Sequence, residues 1–380
     1  MYHPLDMTTK ERVFSALEGR PAGPTPVTSP YVGLFQLDHF GEYTGRPNWH
    51  WAQWMNAGPA DYLRVFREMH RQTPFDILQP HGAPSHGERE SVEVVEKNGK
   101  PWRHDRRNDS WTSLETVSGH AMDFAANEER HVRTRGDADR MMRPTPVRQA
   151  LESGRYDYVR AVVEGMGADH FVLSGGVIGT LFSVQPFTGE SALLEMMVED
   201  PGLLDYIARK ALASSIEEVR ALAACGGHGI FVDESLATSD AISPAQYERF
   251  CLPVTRALVE EIHRHGHQAF VYYFGGVADR LDLVAATGAD VVGVEASMKG
   301  YVNDLPDIAR KLGNRVAVLG NVDPLGTLEQ GTGSELEAEV RRQAGAREFA
   351  RGYLASTGSP ITPRTTLGRV REFLEVAAKY

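Results

Sequence analysis

His228-Gly-Ile-Phe-Val-Asp233-Glu234 and Ala269-Phe-Val-Tyr272-Tyr273-Phe274-Gly275-Gly276 are the stretches on which the fold turns. Each is a short apolar run that ends on polar or glycine residues, and a helix-like stretch separates them. Such a run reads as a strand, and strand, helix, strand in succession predicts parallel pairing. The pattern continues in Asp290-Val-Val-Gly-Val-Glu295 and in Val316-Ala-Val-Leu-Gly320-Asn321-Val322-Asp323-Pro324. Further out, Thr25-Pro-Val-Thr28, Phe75-Asp-Ile-Leu78, Asp169-His-Phe-Val-Leu-Ser174 and Tyr353-Leu-Ala-Ser-Thr357 complete a set of eight. Eight such repeats predict an α/β fold, a closed (β/α)8 TIM barrel with its active site at the carboxyl ends of the strands.

The segments between these runs carry helix signals. Thr8 with Glu11, and Ser334 with Glu337, read as capping boxes. Thr145-Pro146, Asp200-Pro201 and Ser243-Pro244 read as an N-cap followed by proline at the first helical position. After Asp200, residues Leu204, Ala208, Ala211, Leu212, Ser215, Val219 and Leu222 recur at helical spacing and make one buried stripe.

At 380 residues the chain exceeds the roughly 250 of a minimal barrel. We read residues 1–380 as a single barrel domain with an N-terminal helix within 1–24 and an insertion at 79–143, after the second strand. In the insertion, Ser91-Val-Glu-Val-Val-Glu96 and Lys100-Pro-Trp-Arg-His104 flank Asn98-Gly99, which predicts a β-hairpin on a type I′ turn. Trp111-Thr-Ser-Leu-Glu-Thr-Val117 reads as a further strand. An insertion there lies over the active-site face, as a lid, a docking surface or plain elaboration.

Forty Lys and Arg against fifty-one Asp and Glu give a net charge of −11, which argues against nucleic acid or an anionic membrane as the main partner. The local cluster Arg103, His104, Arg106 and Arg107 is either an anion site or a solvated face. No run approaches 18 apolar residues, and Met1-Tyr-His-Pro-Leu-Asp6 lacks a signal-peptide pattern, so a cytoplasmic location is expected. Cys225 and Cys251, on predicted helices and without a C-x-x-C partner, read as buried small hydrophobes.

Chemistry is expected where strands end. A partly desolvated carboxylate binds its proton more tightly and serves as an acid or base near neutral pH. Asp233 and Glu234 are adjacent on a strand, so only one lines the barrel, and Tyr272 and Tyr273 alternate in the same way. An inward phenol donates a hydrogen bond or stacks on a ring. Asp233, Tyr272 and Glu234 are therefore the catalytic candidates. His81, Tyr273, Gly275, Glu295, Asn321, Asp323 and Ser359 are the candidates for contact with a small-molecule substrate, with loop organisation the alternative role for Asn321 and Asp323.

Thr8-Thr-Lys10-Glu11-Arg12-Val-Phe-Ser-Ala16-Leu-Glu-Gly19-Arg-Pro21, Asp233 with Ile242-Ser243-Pro244-Ala-Gln-Tyr247-Glu-Arg-Phe250, and Gly320-Asn321-Val-Asp323-Pro324 resemble the uroporphyrinogen decarboxylase superfamily. That superfamily comprises α/β barrels, among them the porphyrinogen decarboxylase and methyltransferases that exchange methyl groups with corrinoid proteins. The resemblance implies Asp233 as the inward carboxylate, and a corrinoid protein as methyl donor or acceptor. Two departures shape the expectation. Ser29-Pro-Tyr31-Val-Gly-Leu-Phe-Gln stands where porphyrinogen decarboxylases carry the arginine motif R-Q-A-G-R, and Gly358-Ser359-Pro360 stands where they carry G-H-G. Tyr272-Tyr273-Phe274-Gly275 and Ser359 stand where the thiol methyltransferases hold zinc with H-x-C-G and a late cysteine, so no tightly bound zinc is expected. A carboxylate and histidine site from Asp233, Glu234, Glu295, His81 and His86 is the metal-binding alternative. Three functions follow: one-carbon (methyl) transfer on a small molecule with acid–base help from Asp233 and Tyr272, decarboxylation of a small, possibly aromatic, acid, or non-catalytic binding of a small molecule or partner. Monomer and homodimer remain equally open.

Overall fold

The computed structural model describes residues 7–20, 23–115, 131–298 and 300–380. Each of the eight apolar runs contains a strand: β1 (Val27–Thr28) and β2 (Ile77–Leu78), then, after β3 (Val92–Lys97), β4 (Lys100–Asp105) and β5 (Ser110–Ser113), the strands β6 (Phe171–Ile178), β7 (Gly229–Asp233), β8 (Gln268–Tyr273), β9 (Val291–Val294), β10 (Ala317–Leu319) and β11 (Gly352–Ser356). The main sheet is parallel, in the order β1-β11-β10-β9-β8-β7-β6-β2. Its two ends meet where Asp76 N–H donates to Val27 O at 2.9 Å and Val27 N–H donates to Asp76 Oδ2 at 2.8 Å. The sheet thereby curls into a (β/α)8 barrel.

Strand alternation divides the core in two. Ile77, Phe171, Leu173, Phe270, Tyr272, Val291, Ala317, Leu319 and Leu354 fill the barrel, whereas Ile230, Val232, Val271, Tyr273, Val292 and Val318 pack outward against the helices. The helix Thr9–Leu17 stops the lower end: Val13 and Leu17 join the inner cluster, and Phe14 meets Phe171 edge-on at 5.1 Å. Gly352 permits this approach, because a Cβ there would sit 1.9 Å from Ala16 O.

Strands β3, β4 and β5 form a separate antiparallel sheet between β2 and β6. Asn98 and Gly99 both have positive φ, 56° and 73°, as the type I′ turn requires. The helix starts at Thr8, Asp200 and Ser243 are capped by those side chains, and the proline-started helix at Asp200 runs from Pro201 to Ala223 with Leu204, Ile207, Ala211, Val219 and Leu222 buried. Two starts differ from expectation. The capping box is Thr332 with Glu335 rather than Ser334 with Glu337, because Thr332 keeps an extended backbone while Gly333 is already helical. Pro146, not Thr145, is the residue preceding the helix Val147–Glu152. Residues 1–6, 21–22, 116–130 and 299 lie outside the described residues, and with them the ends of the expected N-terminal segment, Thr116 and Val117 of the expected third insertion strand, and part of the 79–143 insertion. Among the described residues no helix is long and apolar enough to cross a membrane. Cys225 and Cys251 are buried and free, Cys225 just beyond its helix rather than within it.

Candidate active site

Register brings the polar strand ends together. Asp233 pairs with Tyr272, and Tyr272 with Gly293, so these three share one level at the upper end of the barrel. The Tyr272 ring lies across Gly293, where a Cβ would sit 2.1 Å from Cδ2 of the ring. Its hydroxyl points at Val294 O and Thr357 O, each at 3.1 Å. Burial holds that phenol protonated, and its one proton is engaged by main-chain carbonyls.

Asp233 is buried, and its two oxygens accept hydrogen bonds from the hydroxyls of Ser235 and Tyr31. Burial raises its pKa, against the opposing pull of those two hydroxyls. Tyr31 starts the helix Val32–Asp38 in a left-handed conformation, φ 52° and ψ 41°, which an L-residue adopts at a cost of about 1–2 kcal/mol. In that conformation its ring stacks on Phe274, with centroids 5.7 Å apart, and meets Phe231 edge-on at 5.5 Å. Tyr31 thus roofs the barrel axis above Asp233.

Tyr31 and Phe231 also form one end of a cavity of about 770 Å³. It runs from the ends of β2 and β6 out beneath the insertion, whose Val94 and Arg103 form part of its wall. Its size suits a small organic ligand, and Trp51, Met55 and Leu222 give it an apolar body. His81 is a polar group on this wall. Its Nε2 lies 3.2 Å from Gly33 O and its Nδ1 2.9 Å from Tyr62 Oη. Since a carbonyl only accepts, Nε2 carries the proton and Nδ1 accepts. Burial pushes the imidazole down to about 4, so it is neutral at physiological pH.

The remaining expected residues divide into two groups. Glu295 follows β9, where it accepts from Ser359 Oγ at 2.9 Å and from the Tyr301 hydroxyl. Asn321 donates to Asn303 O at 2.7 Å and Glu295 O at 3.2 Å, Asp323 caps Leu325 N–H at 2.9 Å, and Gly275 O accepts from Asn303 at 2.9 Å. These contacts tie the loops of the barrel mouth together. Glu234 and Tyr273 lie behind the barrel wall instead. Glu234 accepts from Thr255 at 2.6 Å and Thr180 at 2.8 Å, and burial pushes its pKa up to about 7. Tyr273 shares a 2.7 Å hydrogen bond with Tyr247. Both are next in sequence to an inward residue, so alternation sends them outward. Tyr31 and Arg155 are the residues that reading the sequence did not single out at the site, and Arg103 was read there only as one of a possible anion-binding cluster. Tyr31 shares the strand-end signal of the others, three residues past the very short β1.

At the positions that the resemblance assigns to zinc ligands, Tyr272 faces two carbonyls, Phe274 has no donor atom, and Ser359 donates to Glu295. This donor set does not fit zinc. Among the described residues no group of three or more His, Cys, Asp or Glu side chains is arranged to hold a metal ion, and His86 is turned to Asp157, 3.1 Å away.

The family model for uroporphyrinogen decarboxylase (URO-D) matches residues 117–380. The chain belongs to that family. It is 26% identical over 193 residues to the uroporphyrinogen decarboxylase of Tolumonas auensis, covering 50% of this chain and 52% of that protein. It is 31% identical over 202 residues to that of Syntrophotalea carbinolica, covering 53% and 50%. The chain thus spans about half the length of these two relatives. A solved structure of a methyltransferase from Methanosarcina mazei superposes with a TM-score of 0.67 over 98% of this chain and 99% of that one, at 17% identity. That likeness is one of fold.

Proposed function

We propose that the chain is an enzyme of one-carbon transfer, which removes a methyl group from a small molecule while Asp233 supplies the proton that the departing atom needs. The observation that carries this reading is the buried Asp233 carboxyl at the upper end of the barrel, hydrogen-bonded by Tyr31, whose own side chain lines the large cavity. When an O–CH3 bond breaks toward an external nucleophile, its electron pair stays on oxygen, and an acid at that oxygen lowers the barrier by taking up the developing charge. A carboxyl whose proton affinity burial raises is suited to this, and Tyr31 orients it. Tyr272 acts by shape and position, holding the barrel mouth, since its own proton faces carbonyls. The methyl acceptor is a nucleophile from outside the chain, a corrinoid protein being the one the family resemblance implies. No step is assigned to zinc.

The second reading is decarboxylation, favoured by the names of the curated relatives. Both reactions remove one carbon and both leave an atom that must be protonated, so Asp233 serves either. The test incubates the protein with methoxylated and carboxylated aromatic compounds carrying isotopic label in the methyl or carboxyl group, with a reduced corrinoid protein as acceptor. Label transferred from methyl supports the first reading, and labelled carbon dioxide supports the second. Release of neither label from any compound overturns both.

A further inference from the structure

The cavity wall bears four charged side chains, Glu88, Arg103, Arg155 and Glu218. The two carboxylates are already engaged. Glu88 Oε2 accepts from Ser85 N–H at 2.8 Å and Ser85 Oγ at 2.7 Å in a capping box, and Glu218 accepts from the Tyr156 hydroxyl. The two guanidiniums make no direct contact of this kind: among the described residues neither takes part in a hydrogen bond or a close ion pair, and Arg155 acts on Glu88, and Arg103 on Asp105, only through the longer-range attraction that lowers those carboxyls. The rest of the basic cluster in the insertion is committed elsewhere. Arg107 grips Asp105, Arg106 donates to Glu90 O, and His104 bridges Glu93 and Asp109 while stacking on Trp111. Alternation along β4 sends His104 to one face and Arg103, with its cross-strand neighbour Val94, to the cavity.

We propose that Arg103 and Arg155 form a carboxylate subsite, so that the substrate is an aromatic or otherwise apolar monocarboxylate whose body lies along Trp51, Met55 and Leu222. This rests on reading the cavity as the substrate site. A planar guanidinium beside apolar walls matches a carboxylate with two parallel charge-assisted hydrogen bonds, which are stronger there than in bulk water. The four wall charges sum to zero, so one added negative charge is tolerated better than the two of a phosphate monoester. The insertion thereby takes over anion recognition from the position after β1, where Ser29, Pro30 and Tyr31 stand in this chain.

Binding can be read without turnover, from quenching of tryptophan fluorescence or by calorimetry, with 4-methoxybenzoate, its uncharged amide and a phenyl phosphate as probes. The wild-type protein is expected to bind the benzoate at least ten-fold more tightly than the amide or the phosphate. Arg103→Gln and Arg155→Gln should each weaken benzoate binding by about 10- to 100-fold, the range for losing a hydrogen-bonded charge, and alter amide binding less than about two-fold. Arg103→Lys, which keeps the charge and loses the fork, should fall between, and a thermal melt confirms that each variant is folded. Equal binding of benzoate and amide by the wild type, unaltered benzoate binding by both glutamine variants, or no binding of any probe would overturn the subsite. Because these readings need no turnover, a subsite that holds while Asp233→Asn leaves turnover unaltered would separate the two claims.

Discussion

At Asp233, burial raises proton affinity while the hydroxyls of Ser235 and Tyr31 lower it, and the carboxyl ends above its ordinary range. An acid that must be protonated to act loses activity as pH rises through its pKa. Tyr31→Phe removes one of the hydrogen bonds that lower it, so this alkaline decline in kcat/KM should move to higher pH; an unmoved or down-shifted decline would show that Tyr31 does not set the proton affinity. Tyr273 gives the contrast. Its hydroxyl meets Tyr247 behind the wall, so Tyr273→Phe should leave kcat within about two-fold and lower unfolding stability by about 1 kcal/mol, the usual worth of one buried hydrogen bond. Alternation made this asymmetry legible in the sequence. Which tyrosine faced inward was legible only once the strand register was fixed, as was the engagement of the Tyr272 proton by carbonyls of Val294 on the next strand and Thr357 just past the last one.

The strands and caps were legible wherever local chemistry decides them. The capping box at Thr8, the N-cap at Ser243 and the I′ turn at Asn98-Gly99 need only neighbours a few residues away. Ser334 misled because Thr332, two residues earlier, offers an equivalent box and the extended backbone sits there. The Thr8 box begins the helix that stops the lower end of the barrel, so Thr8→Ala should cost about 1 kcal/mol in denaturant unfolding and leave turnover unaltered. A loss of turnover without a loss of stability would contradict the structural role of this end. The hairpin was legible as a hairpin, but the face that it turns to the barrel depends on distant contacts such as Gln53 Nε2 to Val94 O at 3.2 Å and Asn56 Nδ2 to Val92 O at 2.9 Å, which local spacing does not encode. Arg103 therefore read only as one of a basic cluster, without the cavity it faces.

At the scale of the whole molecule, eight inward-outward alternating strands specify a barrel whose upper layer carries Asp233 and whose wall conceals Glu234. Glu234 titrates near 7 in the folded chain against 4.5 for an ordinary glutamate. Between those values the folded state holds the proton and the unfolded state has lost it, so this group's stabilisation is complete below about pH 4.5 and declines as pH rises through 7. Glu234→Gln should flatten that decline, by up to ~3 kcal/mol between pH 5 and 8; equal pH slopes in wild type and variant would show that Glu234 ionises freely when folded. Asp233, one residue earlier, is directed to the other side of the same wall, where Tyr31 and Ser235 hydrogen-bond it, and there the proposed function gives its proton a role in the chemistry. The most direct measurement is the pH profile of kcat/KM for the wild-type protein and Asp233→Asn on whichever methoxylated or carboxylated aromatic acid is turned over. The expected result is a rate about 10²- to 10⁴-fold lower in the folded variant, with the alkaline decline of the wild type gone. A variant that keeps the wild-type rate and the same decline would contradict the assignment of the proton to Asp233.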